Sequence, residues 1–197
     1  MAIQNVTFEV LKGSQIKSIE KSFADLRITI FREYPYLYEG DLSTEKHYFD
    51  MFGDNTICIT AKDGAAIIGI SIGTPLQEVL KRFLEPLTEA HINVKRMFYL
   101  ADLLVLKSYR GQRIGHALYE LFEKEVQKTG QFSTIIVREI SKSPDDPKKP
   151  SDYHSLDFFW NKRGFKKIDG ISQQDKWKAI GDEDISLHTM IYQVKNL

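Results

Sequence analysis

The feature that most constrains the fold is an apolar segment, residues 97–106, that runs directly into a basic, glycine-containing turn. Beyond the turn, apolar residues recur at helical spacing from Ile114 to Val126. A strand that enters a helix in this way leaves the first N–H groups of the helix unpaired, at the positive end of the helix dipole. Arg110 and Arg113 add positive charge, so the segment predicts an anion site, with phosphate as its natural ligand.

Two common nucleotide-binding loops do not fit this turn. A P-loop needs Gly-x4-Gly-Lys-Ser/Thr, whereas Gly111 and Gly115 are spaced differently and no such lysine follows. The dinucleotide fingerprint Gly-x-Gly-x-x-Gly is also missing from the turn. The sequence therefore predicts a phosphate site of another kind.

The rest of the chain alternates strand-like and helix-like segments. Residues 55–61 and 65–73 flank an Asp-Gly pair and predict a hairpin. Thr74 and Pro75 are typical of a helix start, as cap and first helical residue. Residues 165–168 and 187–194 predict two last strands with a polar connection between them. The order β-α-α-β-β-α-β-α-β-α-β-β indicates one α/β domain over residues 1–197, with a mixed sheet covered by helices.

Composition excludes several classes of protein. Lys plus Arg number 27 and Asp plus Glu number 27, and this balance argues against a nucleic-acid partner. The apolar stretches are far too short to span a bilayer, so we expect no membrane association. The single cysteine, Cys58, and an N-terminus without a signal-like pattern predict a cytoplasmic location. The histidines lack ligand spacing, and we expect no metal.

The turn resembles part of a known family. Its residues, Arg110-Gly111-Gln112-Arg113-Ile114-Gly115-His116-Ala117, are similar to the acyl-CoA pyrophosphate loop of the GNAT superfamily of N-acetyltransferases, written Gln/Arg-x-x-Gly-x-Gly/Ala. Downstream, Phe159-Trp160 and Gly164-Phe165 resemble the second family signature, Phe-Tyr-x-x-x-Gly-Phe. The resemblance implies a mixed, largely antiparallel sheet of about six or seven strands, flanked by helices and splayed at the acyl-CoA site.

The resemblance also implies acetyl-CoA as cosubstrate. The turn would bind it, together with the backbone of Leu104 and Val105 and with Trp160, and one backbone N–H would stabilise the oxyanion. Two departures stand out: Arg113 replaces the first motif glycine, and Trp160 replaces the tyrosine that protonates the CoA thiolate. An indole N–H is not a practical acid. Tyr153 is a substitute candidate, and its alternative interpretation is a packed ring or a CoA contact.

Asp102 is the candidate general base. It interrupts an apolar strand, where a buried charge needs a reason, and many members of the family carry an acidic base there. An alkylamine, with a pKa of roughly 10, must lose a proton before it can attack. The alternative for Asp102 is a structural carboxylate paired with a nearby Arg or Lys.

A loop rich in aromatic residues lies where this family often builds its acceptor pocket. Arg32, Tyr34, Tyr36 and Tyr38 are the candidate substrate-binding residues, with cation–π contacts as one means of holding an amine. The alternative is a loop held down by its own rings.

The resemblance therefore predicts transfer of an acetyl group from acetyl-CoA to a primary amine by direct attack, with a small molecule as the favoured acceptor. Three other functions stay open at this point. They are acetylation of a protein lysine or N-terminus, a silent acyl-CoA-binding or sensing domain, and a partner-binding module that has lost the cosubstrate. A homodimer is possible.

Overall fold

The computed structural model describes residues 6–197. Residues 1–5, which belong to the predicted domain and to the N-terminus considered for a signal-like pattern, lie outside the described residues. Over this range the chain forms seven strands and five α-helices. The strands are β1 Val6–Lys12, β2 Ile57–Asp63, β3 Ala66–Pro75, β4 Met97–Val105, β5 Thr134–Ile140, β6 Lys166–Lys178 and β7 Ile185–Asn196. The helices are α1 Glu20–Phe31, α2 Leu42–Phe49, α3 Lys81–Glu89, α4 Ile114–Lys128 and α5 Asp157–Asn161.

All seven strands form one sheet in the order β1-β2-β3-β4-β5-β7-β6. Every neighbouring pair is antiparallel except β4 and β5, which run parallel. The predicted fold class, a mixed and largely antiparallel sheet flanked by helices, is confirmed. Parallel strands require a crossover, and α4 supplies it.

Helices cover both faces of the sheet. The apolar stripe of α4, with Leu118 and Phe122 fully buried, packs with Phe98, Leu100 and Ile135. On the other side, α1 and α2 pack against alternate residues of β2 and β3 in a second core. No helix within residues 6–197 is long and apolar enough to cross a membrane.

The sheet opens between β4 and β5. Their pairing runs only from Met97 opposite Thr134 to Leu100 opposite Val137. At the same level β4 contains a bulge, because Gly73 pairs with Leu100 and Ile72 with Asp102, which leaves Ala101 between them. Beyond this point β4 continues to Val105, paired only with β3, and β5 continues to Ile140, paired only with β7. The gap between these two strand ends is called the opening below.

Two local predictions were wrong. Thr74 and Pro75 end β3, opposite Tyr99 and Phe98. Only a single 3-10 turn, Leu76–Glu78, follows directly, and α3 begins at Lys81. Pro75 is tolerated because β2 begins only at Ile57, opposite Gly73, so no ladder bond to β2 is lost at Pro75. The polar connection expected after residue 168 is instead most of β6, an edge strand that pairs only with β7.

Candidate active site

The predicted phosphate turn lies at the end of β4, next to the opening. The first intrahelical bond of α4 runs from the N–H of Ala117 to the carbonyl of Arg113 at 3.1 Å. The N–H groups of Ile114, Gly115 and His116 precede it, so they have no partner within the helix. These groups and the helix dipole make the turn a site for an anion.

The backbone of the turn explains the family glycine that Arg113 replaces. Arg113 adopts a left-handed conformation, with φ of +64°, just before the helix begins. A residue with a side chain pays about 1–2 kcal/mol for this conformation, which glycine adopts freely. Arg113 is exposed, and it adds a positively charged residue to the turn although its backbone is strained.

The turn also has room for a bound pyrophosphate. A Cβ atom at Gly115 would meet only the Val105 side chain, at 3.7 Å, and one at Gly111 would meet nothing within 4 Å. Gln112 is held back by its own amide, which donates to the carbonyl of Ser108 at 3.2 Å. Open backbone and unpaired N–H groups are what acyl-CoA phosphates require, so the residues fit this cosubstrate.

Arg110 ties the turn to the aromatic loop. Its guanidinium donates two hydrogen bonds to the Glu33 carboxylate, at 2.6 and 3.2 Å, and one to the carbonyl of Val105 at 3.0 Å. Glu33 directly precedes Tyr34. The end of β4, the phosphate turn and the loop that follows α1 are therefore in direct contact.

The strand register shows which backbone groups face the opening. The N–H of Leu106 donates to Ile68 of β3 at 3.0 Å, and antiparallel pairs alternate, so Leu104 also directs its backbone toward β3. Val105 and Leu103 direct theirs away from β3, where β5 has diverged. Of the two predicted residues, the structure brings the backbone N–H of Val105 to the opening and that of Leu104 to the sheet.

Asp102 lies in a buried ion-pair cluster with Arg27 of α1 and Glu45 of α2. The side chains of Asp102 and Glu45 are 2% and 1% exposed. Arg27 Nη1 donates to Asp102 Oδ1 and Arg27 Nε to Glu45, while the guanidinium lies 4.0 Å from the centre of the Tyr48 ring. Burial raises the pKa of Asp102 and Arg27 opposes this effect.

The second oxygen of Asp102, Oδ2, makes no hydrogen bond of standard geometry with residues 6–197. The Tyr48 hydroxyl lies near enough to favour the ionised carboxylate. Asp102 thus has the arginine partner of its structural interpretation, and it keeps one oxygen that could accept a proton. Its role as general base stays a prediction.

The aromatic loop crosses the end of the opening. Tyr34 meets Tyr153 edge-on, with ring centres 4.6 Å apart. The rings of Tyr36 and Phe31 pack together with their centres 4.4 Å apart. Tyr38 pairs with Ala179 through an isolated β-bridge. Arg32 is exposed at the start of the loop. Tyr34 and Tyr36 thus lie between the two sides of the site, and Tyr38 anchors the loop to the end of β6.

Trp177 of β6 completes this cluster. Its indole N–H donates to the carbonyl of Tyr36 at 3.0 Å, and its ring stacks on His188 at 3.6 Å. Burial, then Glu139 and Asp102, raise the pKa of Tyr36. Tyr36 therefore lies within the electrostatic reach of both carboxylates.

The second motif is placed behind α4. Trp160 is buried and packs edge-on against Tyr119 and Phe165, with ring centres 6.0 and 5.0 Å away. The ring centres of His116 and Phe159 are 5.5 Å apart. Ile114, His116 and Ala117 all belong to the first turn of α4. The structure thus gives the Trp160 ring a packing position and leaves Phe159 beside the turn.

Tyr153 lies on the other side of the opening and not on α5. Burial and Glu139 raise its pKa to about 12, well above the value of about 8.5 expected for a thiol. Tyr153 is therefore a weaker acid than an ordinary tyrosine. The acid role predicted for Tyr153 stays untested, and its hydroxyl is better suited to donate a hydrogen bond.

Sequence reasoning missed Glu139. This residue of β5 lines a cavity of about 240 Å³ together with Tyr34, Tyr153, Asp157 and Lys167. Burial raises its pKa to about 7, Asp157 adds to the effect and Lys167 opposes it. The available signal was weak, namely a pair of adjacent charged residues, Arg138 and Glu139, that follows an apolar run in a predicted strand. Within residues 6–197 no group of three or more His, Cys, Asp or Glu is arranged to hold a metal ion.

The comparisons with known proteins agree with this geometry. The model of the acetyltransferase (GNAT) family matches residues 23–147. Since this range is more than half of the chain, the protein belongs to the GNAT family of acetyltransferases. Membership indicates an acyl-CoA-dependent acetyltransferase. No curated protein sequence matches the chain significantly.

Solved structures share the fold at low sequence identity. A ribosomal-protein-alanine N-acetyltransferase from Brucella melitensis is 11% identical, with a TM-score of 0.61 over 96% of this chain and 99% of that one. An aminoglycoside 6'-N-acetyltransferase complexed with coenzyme A is 18% identical, with a TM-score of 0.57 over 95% of this chain and 96% of that one. A GNAT acetyltransferase from Elizabethkingia anophelis with acetyl-CoA bound is 14% identical, with a TM-score of 0.56 over 98% of this chain and 99% of that one.

Proposed function

We propose that this protein transfers the acetyl group of acetyl-CoA to the primary amine of a small molecule. The observation that carries the proposal is the adjacency of two features: the unpaired N–H groups at the start of α4 and the opening between β4 and β5. The first fits a pyrophosphate, and the second leaves a strand edge free for an extended acyl-pantetheine arm. Similar proteins include one complexed with coenzyme A and one with acetyl-CoA bound.

Each part of the chain has a task in this proposal. Gly111, Arg113 and the first residues of α4 hold the phosphates, and Val105 presents its N–H at the opening, where it would donate to the reacting carbonyl oxygen. Bound acetyl-CoA supplies an activated thioester. The new C–N bond forms as the C–S bond breaks, and the ammonium form of the acceptor releases two protons. One of them balances the thiolate and the other goes to a base and then to water.

The acceptor is proposed from the site's size and its aromatic wall. A cavity of about 240 Å³ lined by Tyr34 and Tyr153 suits a small amine or one projecting side chain. Among the similar proteins, one acts on aminoglycosides and one on a ribosomal-protein alanine, so a protein acceptor is the second candidate. A cytoplasmic location and a homodimer remain predictions.

A silent acyl-CoA-binding protein is the rival from another class. The motif tyrosine is replaced by Trp160, which is buried. A CoA thiol with a pKa of about 8.5 leaves tolerably as a thiolate near neutral pH, so the replacement need not abolish transfer. The rival predicts acetyl-CoA binding without turnover of any amine.

The first experiment is calorimetric titration of the whole chain with acetyl-CoA and CoA, with ATP and NAD as controls. Gly115→Glu places a carboxylate at the unpaired N–H groups, and we expect it to abolish binding, whereas Gly53→Glu, at another open glycine, should leave binding unchanged. Thiol release is then followed with a panel of tyramine, spermidine, kanamycin and an alanine-initiated peptide. Failure of the unaltered protein to bind either CoA species would refute the proposal.

A further inference from the structure

One carboxylate near the opening has no task in the mechanism above. Glu139 lies two residues beyond Val137, where the pairing of β5 with β4 ends. It lines the cavity of about 240 Å³ at this end of the strand. A solvent-connected carboxylate beside the opening is a group that an acceptor can meet.

The two oxygens of Glu139 differ in their partners. Gln193 of β7 donates its side-chain N–H to Oε2 at 2.5 Å. Oε1 accepts no hydrogen bond from residues 6–197 in standard geometry. The carboxylate is thus fixed by one oxygen, and the other is free to accept a hydrogen bond from a ligand.

Two tyrosine rings flank this carboxylate. Tyr34 and Tyr153 line the same cavity and meet at an angle of 82°, with ring centres 4.6 Å apart. Aromatic rings and a carboxylate together attract an ammonium group, through cation–π attraction and charge-assisted hydrogen bonds. A neutral or anionic ligand would gain less from this combination.

The charged groups around Glu139 leave its charge uncompensated by a direct partner. Asp157 of α5 and Lys167 of β6 form an ion pair with each other at 3.0 Å. Lys149 directs its amine toward the carbonyl of Pro144, at 3.4 Å. The titratable and charged groups that face Glu139 or line its cavity are Tyr34, Tyr36, Tyr153, Asp157, Lys167, Lys142 and Lys149.

We propose that Glu139, flanked by Tyr34 and Tyr153, binds the ammonium group of the acceptor and accepts the proton that this group loses before attack. The proposal rests on the proposed function and names its substrate class, a small primary amine that arrives protonated. One N–H proton passes to Oε1 of Glu139, and the freed lone pair forms the C–N bond as the C–S bond breaks. The second proton balances the thiolate, and Glu139 returns its proton to water.

Burial supports this assignment. A base is most effective when its pKa lies near the working pH, and burial raises the pKa of Glu139 to about 7. Asp102, in contrast, is sealed from solvent and bonded to Arg27. Proton exchange with an incoming amine is therefore easier at Glu139 than at Asp102.

The test compares Glu139→Gln, Asp102→Asn and the control Glu89→Gln, an exposed glutamate at the end of α3, with the best acceptor of the panel. We expect Glu139→Gln to lower kcat/KM by about 100-fold or more and to remove the acid limb near pH 7. The acid limb should persist in Asp102→Asn and Glu89→Gln. Melting curves and acetyl-CoA affinity verify that each variant is folded, and Glu139→Asp should restore part of the rate.

Two outcomes would overturn the proposal. The first is a Glu139→Gln variant that keeps the acid limb and a kcat/KM within about twofold of the unaltered protein. The second outcome is measured by NMR without turnover. The protein carries 13C-labelled Glu carboxyls, is saturated with CoA, and is titrated with propylammonium chloride. We expect the Glu139 signal to have a midpoint near pH 7 and to move with propylammonium, and a signal that does neither contradicts the proposal.

The two proposals fail in different ways. If the unaltered protein acetylates none of the amines, the proposed function fails, while the propylammonium titration still decides whether Glu139 binds ammonium. If turnover occurs and Glu139→Gln leaves it intact, the proposed function holds and only the role of Glu139 is lost.

Discussion

Two carboxylates, one on each strand of the opening, have opposite surroundings. Asp102 on β4 is 2% exposed and lies against Arg27, which Glu45 and the Tyr48 ring hold from the other side. Glu139 on β5 lines a cavity, and Lys167, the lysine that opposes the rise of its pKa, is paired with Asp157. The same chemical group is therefore held by an arginine in one place and borders a cavity in the other.

The difference follows from how each burial is compensated. Taking a carboxylate out of water disfavours its charged form unless an opposite charge or hydrogen bonds replace the solvent. Asp102 receives a full positive charge from Arg27. Glu139 receives one amide hydrogen bond from Gln193, so its burial appears mainly as a raised pKa. Burial raises the pKa of both carboxylates. Within the described chain, however, only Asp102 is held by a direct ion pair, whereas Glu139 keeps one oxygen without a hydrogen bond beside a cavity.

The largest expected change in the free energy of unfolding comes from breaking the ion-pair cluster around Asp102 on β4. Arg27→Met leaves the buried carboxylates of Asp102 and Glu45 without their partner, and removal of one member of a buried pair costs about 3–5 kcal/mol. Urea unfolding should show this loss, and adding Asp102→Leu should recover part of it. The control Lys21→Met breaks an exposed pair with Asp25 and should change stability by less than about 1 kcal/mol. A loss below about 1 kcal/mol in Arg27→Met would mean that the ion-pair cluster is not structural.

Replacing Glu139 on β5 should have a smaller effect on stability, and of opposite sign, because its removal stabilises the fold at high pH. The pKa of Glu139 is raised from an ordinary 4.5 to about 7, so its contribution to stability is fully present below about pH 4.5 and is lost as the pH rises through about 7. The shift corresponds to about 3 kcal/mol at most, which residual solvent contact reduces to about 1–2 kcal/mol. Glu139→Gln should therefore raise Tm by about 3–6 °C at pH 8.

The same variant should melt like the unaltered protein at pH 4, where Glu139 is protonated in both the folded and the unfolded state. Asp102→Asn serves as the contrast, because it removes a partner of Arg27 and should lower Tm at pH 8. Equal Tm values for Glu139→Gln and the unaltered protein at both pH values would contradict the raised pKa.

Much of the fold could be predicted because local patterns determine it. The turn after β4 combines a strand, glycines and a helix stripe in a short stretch, and its position and unpaired N–H groups follow from that order. Only the start of β6 was predicted; its continuation after residue 168 was missed because an edge strand with polar residues on both sides lacks apolar alternation. Thr74 and Pro75 misled because their helix-start chemistry is local, whereas the pairing of β3 with β4 is not.

The candidate site was less predictable because its partners are distant in sequence. Asp102 is 75 residues from Arg27, and no spacing rule connects a strand carboxylate with an arginine of the first helix. Both sequence interpretations of Asp102 therefore stayed open. Glu139 looks like an ordinary strand residue, and only packing by α5 and the loop before it reveals a cavity beside its side chain.

The smallest predicted effect tests whether neighbouring charges tune Glu139. Asp157 raises the pKa of Glu139 and Lys167 lowers it. Asp157→Asn should therefore shift the acid limb of kcat/KM to lower pH, and Lys167→Met should shift it to higher pH. Asp25→Asn, on the exposed face of α1, is the control and should leave the limb in place.

Opposite shifts would identify Glu139 as the titrating group, because Asp102 belongs to a separate ion-pair cluster. The carboxyl signal of Glu139 followed by NMR should move with the acid limb in each variant. If the Glu139 midpoint shifts but the limb does not, another group controls turnover, and the contrast between the two carboxylates would describe stability alone. If neither moves, burial by itself determines the pKa of Glu139, and the Asp157–Lys167 pair acts only to hold α5 against β6.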